Sequence, residues 1–160
     1  MTNTQKSEII SYGVVAGAAG GLAEIAWVTL YAGVTGGDAA ALARGVTTAV
    51  GVSALLPASP VALGIAVHMA LAVTLGVALA FTWRALRDYR PTLTNPYPFM
   101  VAALAGVWAI NFFVVLPIVS PGFIHMVPYT VSLTSKLLFG LAMAGTMRWQ
   151  AALNVAPVLV

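Results

Sequence analysis

The chain has 160 residues, 61% of them hydrophobic and 7% charged, with a mean hydropathy of +0.97. Soluble domains carry about 25% charged residues, so seven Lys/Arg and four Asp/Glu are too few to solvate a compact surface. A soluble enzyme is excluded, and the net +3 is too dispersed to make a nucleic-acid-binding patch.

An all-α integral membrane protein remains, forming a single membrane domain. The absence of cysteine removes disulfides, thiolate metal sites, iron–sulfur clusters and thiol catalysis together. The first residues, Met1–Glu8, are polar. The apolar run after them far exceeds a signal-peptide core of about 7–15 residues, so the first helix is expected to stay in the mature protein.

A membrane-spanning helix needs about 20 mostly apolar residues, and four stretches meet that length. The first covers about 9–33, with Glu24 as its one charge. The second, about 60–84, opens on Pro60, a favourable residue in a first helical turn. The third covers about 98–117 and the fourth about 128–149. Between the first two, 38–56 carries Asp38, Arg44 and several hydroxyl residues. It is too short and polar to span and reads as an amphipathic interfacial or re-entrant helix.

Lys6, Arg84, Arg87, Arg90 and Arg148 fall on one side of these spans, and Arg44 alone on the other. The positive-inside rule then places both termini in the cytoplasm. Trp83, Tyr89, Tyr97 and Trp149 are expected at the cytoplasmic interface, with Tyr31 and Tyr129 at the outer one.

On the first helix, Gly13, Gly17, Gly20 and Gly21 share one face, with two overlapping GxxxG spacings. Small residues let helix backbones approach closely where lipid supplies no hydrophobic drive. Packing within the chain is the expected use, because Glu24 lies on the same face; a homodimer through that face is the alternative.

Counting inward from the outer helix ends brings one polar residue per helix to a common depth. Glu24 lies about 13 Å from Gly33, His68 about 12 Å from Pro60, Lys136 about 12 Å from Pro128, and Asn111 about 9 Å from Pro117. Isolated charges at such depths cost about 2.5–3.5 kcal/mol each on insertion scales, so they face inward and pair. The expected pair is Glu24 with Lys136, assisted by His68 and Asn111. Expected neighbours are Trp27 with Glu24, Gly64 and Leu71 with His68, Trp108 with Asn111, and Ser132 and Gly140 with Lys136. The set also fits a loose parallel duplication of two hairpins, with Glu24 matching Asn111 and His68 matching Lys136.

This polar layer has two readings: a structural ion pair that fixes helix register, or a site for a proton, ion or small anion. Haem ligation needs both histidines, but His125 falls in the outer loop, away from the depth of His68. A metal on Glu24 and His68 would be repelled by Lys136, so neither metal nor cofactor is expected. Ser132 and Ser135 lie near enough to Lys136 for a Ser–Lys dyad, yet hydroxyls in such helices usually bond to their own backbone. Catalysis is therefore not expected.

The Gly-rich first helix, the intervening amphipathic segment and the mid-helix His in HMALAVTLG together resemble small uncharacterised bacterial inner-membrane proteins. The resemblance covers most of the chain, implies the four-helix fold and a bacterial inner-membrane location, and implies no activity. Beyond the lipid bilayer, the expected partners are other membrane subunits or further copies of the chain. The leading expectation is a non-catalytic subunit that stabilises or adapts a larger membrane complex. The alternative is a small transporter or channel-like protein that uses Glu24, His68, Asn111 and Lys136.

Overall fold

The computed structural model describes residues 2–155, and among them the chain is helical throughout its regular structure, with no strand. Helix α1 covers Asn3–Thr35. Thr2 and Gln5 form a reciprocal capping box at its start, and Gly36 closes it at φ 72°, a left-handed conformation that suits glycine. Helix α2 covers Ala39–Ala49, where the Asp38 side chain accepts from the Ala40 amide at 2.8 Å. Helix α3 covers Pro60–Tyr89 and α4 covers Tyr97–Val119. Helix α5 covers Tyr129–Val155.

Three helices, α1, α3 and α4, are long and apolar enough to cross a membrane. The expectation of four spans is met in these three. Helix α5 has the length, at 27 residues, but Ser132, Thr134, Ser135 and Lys136 lower the hydropathy of its first half. Helices α3 and α5 run past the spans read from the sequence, to Tyr89 and Val155. The amphipathic segment is shorter than expected: α2 ends at Ala49, and a non-helical stretch follows to Ser59.

Helix α4 is not uniform. Residues Asn111–Val115 form a π turn, closed by the Leu116 amide donating to the Asn111 carbonyl. Pro117 explains it: proline has no N–H to offer, and its ring clashes with the carbonyl four residues earlier. Widening the preceding turn relieves that clash.

Helix α1 packs against α3 on one side and α5 on the other; α4 packs on α5, and α2 on α3. The glycine stripe makes these approaches close. A Cβ on Gly17 would lie 2.6 Å from the Ala72 carbonyl oxygen, and one on Gly13 would lie 2.5 Å from Val77 Cα. The partner position on α3 is Gly76, where a Cβ would meet Gly17 Cα at 2.5 Å. Gly21 faces Ala72 and Met69 of the same helix, whereas Gly20 faces the Phe139 ring of α5. The stripe thus packs within the chain, and it serves two neighbours rather than one.

Apolar side chains fill the half of the bundle nearer the start of α1. Ala16, Ala72, Leu79, Trp83, Met100, Leu104, Phe139, Met143 and Ala144 form one buried cluster. Trp83 belongs to it, 6% exposed and 5.6 Å from the Phe99 ring, so its side chain is turned into the bundle. Tyr89 and Trp149, at the same end of the bundle, are 79% and 60% exposed. Leu71, expected beside His68 on the inner face, instead points outward.

Candidate functional site

Beyond Phe139 the packing changes. The half of the bundle nearer α2 holds a half-open cavity of about 350 Å³, lined by α1, α2, α3, α4, α5 and the loop before α5. Most of its wall is aliphatic or aromatic, including Val28, Val46, Ile65, Phe112 and Phe123. Its polar groups are Glu24, His68, Lys136, Ser132 and Ser135, together with Thr29.

Glu24 is 4% exposed and fully partnered. One carboxylate oxygen accepts from Lys136 Nζ at 2.7 Å, and the other from Ser135 Oγ at 3.0 Å. The pair joins α1 to α5, and the short charge-assisted contact offsets what two unpaired charges would cost in hydrocarbon. His68 of α3 stands beside it, with Nε2 3.8 Å from the Glu24 oxygen that accepts from Lys136 and 3.3 Å from the Gly21 carbonyl. Lys136 also lies 5.7 Å from the centre of the Phe139 ring, the same ring that seats on Gly20.

Three of the four residues read as a polar layer are therefore brought together. Asn111 is not among the residues lining the cavity; its neighbour Phe112 is. Phe112 stacks on Trp108 at 5.6 Å, and the Trp108 ring N–H donates to Ser132 Oγ at 3.0 Å. Trp27, expected beside Glu24, instead donates to the Val131 carbonyl at 3.1 Å and ties α1 to the start of α5.

Gly64 lines the cavity for a reason absent from the sequence reading. It sits against the backbone of Ala43, so that α2 lies directly on α3 and closes one wall. Gly140 packs on α4, where a Cβ would meet the Met100 carbonyl oxygen at 3.1 Å. Neither serine addresses Lys136. Ser135 donates to Glu24 and to the Ser132 carbonyl, and Ser132 donates to the Tyr129 carbonyl while accepting from Trp108.

His125 lies on a 3-10 turn, exposed and outside the cavity lining. Among the described residues no cluster of three or more His, Asp or Glu could hold a metal ion. The polar side chains of the cavity can donate hydrogen bonds and form ion pairs. An ammonium has three donors, and Lys136 directs one of them to Glu24.

The chain matches no known protein family model, no curated protein and no solved structure.

Proposed function

We propose that the chain is a small transporter-type membrane protein that binds a mostly apolar molecule with a hydrogen-bond-accepting end. The observation carrying this reading is the cavity itself, aliphatic along its walls and ending on Lys136. Its volume of about 350 Å³ falls in the range of small-molecule sites, which are mostly apolar with a few orienting polar groups. A purely structural ion pair needs no space beside it. Here Lys136 faces open volume with two donors beyond the one on Glu24.

The same reading makes α5 a fourth span. Its lysine is the one charge before Arg148 near its far end, and pairing with Glu24 removes most of the cost of that charge. The basic end of the bundle then lies in the cytoplasm with both termini, and α2 and the cavity lie toward the outer face. A bacterial inner membrane is the setting implied by the resemblance of its motifs.

Anilinonaphthalene sulfonate, an apolar fluorophore with an anionic acceptor, supplies the test with protein in lipid nanodiscs. Saturable fluorescence enhancement is expected, reduced at least tenfold by Val28→Trp, which fills the cavity, and by Lys136→Met, which removes the donor. Binding unchanged in both variants would overturn the proposal. Absent binding together with stoichiometric partner chains in mild detergent would instead establish the accessory-subunit role.

A further inference from the structure

The charges of the chain are distributed unevenly once their partners are known. Asp38 pairs with Arg44 at 2.7 Å, and Glu24 pairs with Lys136 at 2.7 Å, so both pairs are internally neutral. The remaining five cations and two carboxylates all lie at the opposite end of the bundle from α2. Their difference is the whole net charge of +3.

At that end a second cavity, of about 170 Å³, opens between the start of α1 and the ends of α3 and α5. Arg84, Arg87 and Arg148 all line it, together with Glu8 and Gln5. Arg84 is held by Asp88 at 3.0 Å. Arg148 lies 5.9 Å from the centre of the Tyr97 ring, and among the described residues neither Arg148 nor Arg87 has a carboxylate partner. The inner part of the wall is apolar, with Ile9, Ala80, Trp83 and Met147.

Converging guanidiniums repel one another unless an anion lies between them, and their planar forks suit phosphate oxygens. The cavity is too small for a drug-sized ligand, whose sites begin at about 300 Å³. Its exposed neighbours Tyr89 and Trp149 have the character of residues at a membrane interface. A basic rim over an apolar inner wall, at the end of spanning helices, complements a lipid headgroup whose chains continue along the bundle.

We propose that this cavity holds the phosphate of an anionic phospholipid, with Arg87 and Arg148 as its principal ligands. Arg87 and Arg148 are both exposed, so replacing them leaves the buried cluster intact. Arg90 lies outside the cavity and provides a variant of equal charge loss.

Native mass spectrometry of protein in detergent micelles containing equal phosphatidylglycerol and phosphatidylcholine tests the site. Retention of phosphatidylglycerol over phosphatidylcholine by at least tenfold is expected. The double variant R87Q/R148Q should lose that preference, and R90Q should keep it. Equal retention of the two lipids would overturn the proposal, as would an R90Q loss as large as that of the double variant. Displacement of the lipid by millimolar inorganic phosphate would overturn the lipid as ligand and make the site one for free phosphate.

Discussion

Glu24 and Lys136 meet at 2.7 Å although 112 residues separate them, and Ser135 holds the carboxylate oxygen that the lysine leaves free. Both Glu24 oxygens are thus engaged by α5, which fixes the register of α1 against α5. Removing one member of such a pair leaves the other charged and buried. Glu24→Gln or Lys136→Met alone is expected to cost about 3–5 kcal/mol of stability. The double variant should cost clearly less than the two losses added together. Unfolding in mixed micelles, followed by circular dichroism for all four members of the cycle, measures this; strict additivity would mean that the pair contributes nothing as a pair.

His68 stands next to the same carboxylate but at 3.8 Å, and its ring is more exposed than either partner's side chain. Its replacement should separate fold from binding. His68→Phe is expected to shift stability by less than about 1.5 kcal/mol, as a swap that leaves no buried charge unpaired. The same variant should weaken fluorophore binding in the cavity, because it removes one of the few polar groups on the wall. A stability loss equal to that of Glu24→Gln would show that His68 belongs to the structural pair.

The residues that pair were legible because charge inside a membrane is so costly. Counting helical rise from each outer helix end placed Glu24, His68 and Lys136 at one depth, and a charge there needs a partner. The same count misplaced Asn111, since it assumed uniform α-helix up to Pro117. The π turn over Asn111–Val115 breaks that assumption, and Phe112 takes the cavity position next to Trp108. The glycine stripe announced close packing, yet only the crossing of α1 between α3 and α5 divides Gly17 from Gly20. The apolar extent of the cavity was not legible. It exists because α2 seats on Gly64 through Ala43, a contact between backbones that no pattern of side chains encodes.

Asp38 offers a prediction in pH. The hydrogen bond from Arg44, with smaller help from the Ala41 and Ala40 amides, holds its carboxyl below the ordinary aspartate range. A carboxyl depressed in the folded state stabilises that state above its unfolded pKa, and the contribution fades as pH falls through the folded value. Acidification below the ordinary carboxyl range should therefore loosen the start of α2 while the buried cluster persists. Hydrogen exchange at the Ala40 and Ala41 amides should rise there relative to the intrinsic rate. In Asp38→Asn, which keeps a capping oxygen but cannot titrate, that acid-induced rise should vanish. A rise of the same size in the variant would place the acid sensitivity elsewhere.

The glycines make the sharpest contrast, because two in α1 differ only in what surrounds them. At Gly17 an added Cβ would lie 2.6 Å from a backbone oxygen of α3, whereas at Gly33 nothing lies within 4 Å. Backbone cannot rotate aside as a side chain can, so Gly17→Ala forces α1 and α3 apart. A cost of about 1–3 kcal/mol is expected from such overpacking. Gly33→Ala meets no obstacle and relieves the conformational freedom of a helical glycine, a gain of about 0.5–1 kcal/mol. Thermal unfolding of both variants in one detergent should therefore move in opposite directions. A second readout ties the first site to function: separating α1 from α3 displaces Glu24 relative to His68, one turn or more beyond Gly17. Gly17→Ala should then weaken fluorophore binding in the cavity, while Gly33→Ala leaves it unchanged.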